Sequence, residues 1–154
     1  MSRKGAEHRK QQGNTDHLTL IDTSAWILAL RRESSSLARS EIDRLIEKDL
    51  AATAGIVKLE LLCGARTTGE YKELKEDLEA LVQLEITQET WDRGSHLAYS
   101  LRRKGLTVPS ADVLIVAVAA ENGCNLIHAD HHFDLIAEQN LGLSPAEVVS
   151  LLEV

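Results

Sequence analysis

Apolar residues along this chain follow two rhythms. Short, nearly unbroken runs read as strands buried on both faces: "LTLID" (18–22), "LAAT" (50–53), "QLEIT" (83–87) and "CNLIHAD" (124–130). Between them the spacing predicts helices over 23–32, 34–49, 54–66, 69–82, 88–105, 110–122 and 131–140. In 34–49 the apolar side is Leu37, Ile42, Leu45 and Ile46, the outer face of 69–82 is charged, and Gly105 stops the helix before it. The stretch "PSADVLIVAVAAENG" (109–123) is apolar nearly all round, the mark of a buried helix. The tail "GLSPAEVVSLLEV" has two readings, a capping box from Ser144 to Glu147 or an edge strand over 147–150. Residues 1–17 lack periodic apolar positions and read as a disordered, mildly basic arm ahead of one domain, 18–154. Strands alternating with helices predict an α/β fold whose central, mainly parallel sheet of four to five strands is covered on both faces. Ligands of such sheets bind at the carboxyl ends of the strands.

Several carboxylates interrupt this pattern. Asp22 ends the first strand and Asp130 the fourth, both at carboxyl ends. Glu60 shares a helix side with Ile56, Val57, Cys63 and Gly64, and Asp112 sits in the first turn of the buried helix. Each has an ordinary local explanation. Asp22 and Asp130 are good helix N-caps, Asp112 suits the helix dipole behind a Ser110 cap, Glu60 reads equally as an edge-exposed acid, and Asp134 as a solvated one. Together they are harder to explain, because burying several like charges costs several kcal/mol per unpaired ion, in rough terms. No matching set of Lys or Arg stands inside these apolar runs. A hard divalent cation, Mg²⁺ or Mn²⁺, one ion or two, is the simplest compensation for an all-oxygen set. Such ions polarise phosphate and activate water.

Composition narrows the field further. Hydrophobic residues are 44% and charged residues 27% of the 154, in line with a single globular core. Aromatics are only 3%, so the core rests on Leu, Ile, Val and Ala, and a base-stacking single-strand binder is disfavoured. The net charge of −7 means that any nucleic acid must be met by bound cations, a local basic patch or a partner. Cys63 and Cys124 read as buried free thiols of a reducing, cytoplasmic compartment. The longest apolar run, 113–120, is too short to span a bilayer, and the polar N-terminus argues against a signal peptide. His128, His131 and His132 with Cys124 match no standard zinc spacing, and neither a phosphate-binding Gly-rich loop nor a nucleophile elbow is present.

The ordered set "LIDTSAWI", "VKLELLCGA" and "LRRKGLTVPSADVLIVAVAAENGCNLIHADHHFD" resembles the PIN domain, and within it the VapC-type ribonuclease toxins of prokaryotic toxin–antitoxin pairs. The resemblance covers all but the N-terminal arm. It implies a three-layer α/β/α fold and a metal-dependent endoribonuclease that hydrolyses RNA phosphodiester bonds with metal-activated water. The family's four acids fall on Asp22, Glu60, Asp112 and Asp130, with Ser24 and Asp134 behind them. His128 stands where members of the family often carry Thr. The resemblance also implies transfer or ribosomal RNA as substrate, a homodimer, and a cognate antitoxin that inhibits by entering the acidic site. Arg31, Arg32, Arg66, Arg102, Arg103 and Lys104 are basic spots that would meet the RNA backbone, or plain solvated surface.

Two other classes compete. A catalytically inactive PIN-fold module would bind RNA or a partner, although all four acids are present. A receiver-like signalling domain also gathers acids at strand ends, but it needs a late Lys, and the last Lys here is Lys104, ahead of the fourth strand. A structure-specific DNA nuclease would carry more insertions and acids than a chain this short.

Overall fold

The computed structural model describes residues 17–31, 36–142 and 145–152. The arm expected over 1–17 therefore lies, up to residue 16, outside the described residues, and so does Arg32. The elements are β1 (Thr19–Ile21), α1 (Thr23–Leu30), α2 (Ser36–Glu47), β2 (Ala51–Ala54), α3 (Gly55–Cys63), α4 (Thr68–Glu79), β3 (Val82–Leu84), α5 (Gln88–Arg103), α6 (Ser110–Glu121), β4 (Asn125–His128), α7 (His131–Glu138) and β5 (Val148–Ser150). The five strands run in the order β3-β2-β1-β4-β5, with every pair parallel.

Strand alternation divides the core into two layers. Leu20, Ala52, Leu84 and Leu126 face one side, where α3, α5, α6 and α7 pack through Val57, Leu97, Val113 and Phe133. Ile21, Ala51 and Ile127 face the other, against Ala25 and Ala29 of α1 and Ile42 and Leu45 of α2. The result is the three-layer α/β/α arrangement. The expected burial of the sixth predicted helix, 110–122, holds for α6, whose Val113 to Ala119 are all buried.

The chain leaves β1 toward β2 on one side and returns to β4 on the other. The carboxyl ends of β1 and β4 therefore flank the topological switch point, where a crevice forms. Two helices end on glycine, α5 ahead of the start of α6, and α6 at the amino end of β4, away from the crevice. After α5, Gly105 (φ 81°) donates to the Arg102 carbonyl and Leu106 to that of Leu101. After α6, Gly123 (φ 61°) donates to Ala120 and Cys124 to Ala119. Both are Schellman closures, which need a left-handed residue at that position.

Three expectations need correction, and one open reading is decided. The third strand is Val82–Leu84, not 83–87, because only those residues find partners on β2. The tail takes its strand reading: Val148 and Val149 pair with Leu126 and Ile127, which a helix there would leave unpaired. The N-cap of α6 is Pro109, with no side-chain cap bond, and Ser110 is the first helical residue. Cys63 is exposed, since α3 ends there and turns its last residue outward, whereas Cys124 is buried as expected.

Gly94 lies buried in mid-α5, and a Cβ there would meet Ala117 Cβ at 3.8 Å and Leu114 Cδ1 at 4.0 Å, ordinary contact distances. Gly94→Ala is therefore expected to stabilise the protein by up to about 1 kcal/mol, from helix propensity and added packing. Urea denaturation with an unchanged m-value would register it, and a lower midpoint would contradict it.

Candidate active site

Asp22 is the residue at which β1 stops and α1 starts, so its carboxylate serves as the N-cap of α1. Its Oδ2 accepts the Ser24 backbone N–H at 2.9 Å and a short bond from the Ser24 hydroxyl. The same hydroxyl accepts the Ala129 N–H at 2.9 Å, tying the end of β1 to the end of β4. Asp130 caps α7 in the same way, Oδ1 accepting from His132 N–H at 2.9 Å. Cap and site were rival readings for these acids. The geometry supports both, because capping through one or two bonds leaves lone pairs facing the crevice.

Asp112 comes from the first turn of α6 and meets them there. His132 Nδ1 lies 2.9 Å from Asp112 Oδ2 and 3.1 Å from Asp130 Oδ1. Ionised carboxylates only accept, so with both acids charged the proton between them sits on Nδ1. One ligand atom each from Asp112, Asp130 and His132 lies within 4.8 Å of the others. Asp22 is only 3% exposed, and its pKa is raised by burial, against the pull of the Ser24 bonds, with the Asp130 charge adding to the rise. Asp112 is pushed up to about 6, first by burial and then by the charges of Asp130 and Asp22, while His132 opposes the shift. Three acids from three elements thus share one field.

Glu60 joins through a neighbour. Thr23, the residue after Asp22, donates its hydroxyl to Glu60 Oε1 at 2.9 Å, which tethers α3 to the start of α1. Asp134 is not merely solvated, since its Oδ1 lies 3.2 Å from Nε2 of the fully buried His128. His128 Nδ1 accepts the Asp130 N–H at 3.1 Å, which leaves the proton on Nε2, facing Asp134. The imidazole therefore holds the backbone of Asp130. Burial lowers its pKa, which favours this neutral form.

Among the cations, Arg31 ends α1, Arg66 follows α3, and Arg102, Arg103 and Lys104 end α5, all exposed. A cavity of about 560 Å³ opens between α1, α2 and α4, around Trp26, Leu30, Ile46 and Val82, and none of the four acids lines it. His132 is the member of the cluster that the sequence argument weighed only as a zinc ligand. Its signal was its place two residues after a strand-end Asp, where an N2 side chain folds back over the cap.

The carboxylates of Asp112 and Asp130, with Asp22 beside them, fit a divalent cation. Ligands around a hard ion bound at about 2.1 Å sit up to about 4.2 Å apart, so only a small closure of the observed cluster is needed. The raised pKa values of Asp22 and Asp112 are the sign of negative charge that lacks full compensation.

The model of the PIN domain matches residues 19–139. The VapC ribonuclease Mb1587 of Mycobacterium bovis is 34% identical over 124 residues, covering 78% of this chain and 92% of that protein. This chain belongs to the PIN-domain family, as a VapC-type ribonuclease. Ribonuclease VapC18 of Mycobacterium tuberculosis is 31% identical over 121 residues, 76% of this chain and 85% of the relative. Among solved structures, DNA-bound VapBC from Salmonella typhimurium has a TM-score of 0.67 at 16% identity, over 85% of this chain and 98% of that one. At that identity the likeness speaks for the PIN fold alone. A toxin–antitoxin complex from Klebsiella pneumoniae gives 0.65 at 20% identity, over 88% and 99%.

Ser24 joins the ends of β1 and β4, so its loss is informative. Ser24→Ala strips Asp22 of a charge-assisted bond that lowers its pKa and leaves the Ala129 N–H without its acceptor. A stability loss of about 1–3 kcal/mol is expected, and the acid limb of the cleavage pH profile moves upward. An unmoved limb would remove Ser24 from the site.

Proposed function

We propose that residues 18–154 form a metal-dependent endoribonuclease that acts as the toxin of a type II toxin–antitoxin pair. The observation that carries the reading is the convergence of Asp22, Asp112 and Asp130 from β1, α6 and the end of β4, with Asp112 pushed up to about 6. Asp112, Asp130 and Asp22 would hold Mg²⁺ or Mn²⁺, one ion or two, with Glu60 on the Thr23 side of the site. When bound, such an ion polarises the phosphodiester and makes water a competent nucleophile near neutral pH.

The chain's own residues supply position and field. Ser24 fixes the Asp22 carboxylate and the β4 end relative to each other. His128 holds the Asp130 backbone, with Asp134 at its far nitrogen. His132 keeps a cationic or hydrogen-donating group between Asp112 and Asp130 and partly offsets their repulsion. Water attacks the phosphorus, the P–O3′ bond breaks, and the products carry a 5′ phosphate and a 3′ hydroxyl. No side chain forms a covalent bond.

The family supports transfer or ribosomal RNA as substrate, a homodimer, and a cognate antitoxin whose basic group enters the acidic site. Two free thiols and no described helix long and apolar enough to cross a membrane favour a cytoplasmic setting. The test is cleavage of total RNA by the purified chain with Mn²⁺ or Mg²⁺, with EDTA and Glu60→Gln as controls. Cleavage insensitive to EDTA would overturn the metal role. RNA binding without cleavage under any cation would favour the inactive binding module.

A further inference from the structure

We propose that the groove between α5 and the start of α6 seats a single-stranded stretch of the RNA substrate, with Trp91 and Tyr99 stacking on unpaired bases and Arg102, Arg103 and Lys104 holding phosphates. The inference rests on the ribonuclease reading of the acidic site.

The chain has five aromatic residues, and composition alone counted them against base stacking. Their placement reverses that argument. Phe133 is buried, Trp26 half-buried and Tyr71 of α4 41% exposed, while Trp91 is 52% and Tyr99 63% exposed, both on α5. Exposing two of five large rings on one helix wastes apolar area unless something flat covers them.

Each ring borders a depression against α6. One, of about 200 Å³, is lined by Trp91, and the other, of about 310 Å³, by Tyr99 and Arg102. Both share Ala98, Ser110 and Val113, so they form one track. Ser110 begins α6, two residues before Asp112, so the track runs to the helix end that carries one of the crevice acids, although none of the four acids lines either depression. Helical rise separates residues 91 and 99 by about 12 Å, so the two rings serve different bases.

Charge selects the occupant. The Schellman closure at Gly105 holds Arg102, Arg103 and Lys104 in the last turn of α5, beside Tyr99. None has a carboxylate at ion-pair distance among the described residues. In a chain of net charge −7, three consecutive free cations beside one exposed ring, with a second ring about 12 Å further along the helix, match a phosphate backbone with unstacked bases. A duplex offers no such base faces.

The test separates this inference from its foundation. The full-length Asp112→Asn protein is titrated into a fluorescein-labelled 12-nucleotide mixed-sequence oligoribonucleotide and into its duplex, with anisotropy giving the affinity and Trp fluorescence giving the quench. Trp91→Ala and Tyr99→Ala are each expected to weaken single-strand binding roughly 5- to 100-fold. Duplex binding should change little, and Trp91→Phe should restore most of the affinity while losing the quench. In the cleaving background the same variants should raise KM more than they lower kcat. Equal binding and cleavage by the alanine variants, in a protein whose parent cleaves RNA, would overturn the track and leave the nuclease standing. A parent that cleaves no RNA would instead fail the underlying reading. Sedimentation velocity covers the other occupant: if the alanine variants turn dimers into monomers while each protomer still binds the oligoribonucleotide as before, the face belongs to a second copy, and the proposal is overturned.

Discussion

Asp112→Asn is expected to abolish RNA cleavage and, at neutral pH without metal, to make the protein more stable. Most point substitutions destabilise a protein. This one relieves a specific strain. Asp112 is nearly buried, faces Asp130 and Asp22, and is pushed up to about 6 from its ordinary 3.8. Between those two values the folded protein holds a proton that the unfolded chain has lost. Stability conferred by the protonated acid is therefore complete below about pH 4 and falls as pH rises toward 6. Above that the charged carboxylate costs a constant amount, roughly 3 kcal/mol at most. Asn imitates the protonated form, so the two proteins should melt alike at pH 4, and the mutant should be higher by roughly 6–12 °C at pH 7.5 in EDTA. Cleavage should drop by about a thousandfold or more, because the cation loses a ligand that counts most as charge develops on the phosphate. Thermal melts at several pH values and a cleavage assay check both halves. Retained cleavage would remove Asp112 from the site, and a pH-independent gap in melting temperature would remove the charge repulsion.

The same carboxylates should make a divalent cation a strong, pH-dependent stabiliser. Mn²⁺ binds deprotonated acids, so at pH 5 it must displace the Asp112 proton, whereas at pH 7.5 the site is already charged and repelling itself. A cation present at about a hundred times its Kd adds about 2.7 kcal/mol, worth on the order of 5–10 °C here. The gain should be small at pH 5, rise through 6, and be largely lost in Asp112→Asn. Melting temperature against Mn²⁺ concentration at pH 5 and 7.5 measures it. Calorimetry at pH 6 should also record proton release on binding, and an equal gain at both pH values would count against a carboxylate site.

The relation between the local and the functional reading of an acid is clearest at Asp22 and Asp130. Each is a good N-cap on sequence grounds, and each is an N-cap in the fold. Strand-to-helix turns lie at the place where an α/β protein opens its crevice, and an acid is a good N-cap there, so one residue can answer both demands. Local sequence therefore could not choose between the readings, and only the set of acids could. Glu60 shows the reverse. Its helix face was legible, yet its link to the site runs through the Thr23 hydroxyl, 37 residues away, which no local pattern announces.

By itself the sequence determined the alternation of strands and helices, the burial of α6 all round, and the acids to be found at carboxyl ends. These follow from periodicity and chain direction, which are local properties. Tertiary structure alone decided the rest. β5 exists because β4 has a free edge for Val148 and Val149, a partner chosen by packing and not by propensity. His132 enters the cluster because α6 brings Asp112 to the end of β4, 20 residues apart in the chain. Cys63 faces outward and Trp91 and Tyr99 stay uncovered because, among the described residues, no further element packs over them on α3 and α5. Composition sums over positions, whereas a surface depends on which few residues the fold leaves outside.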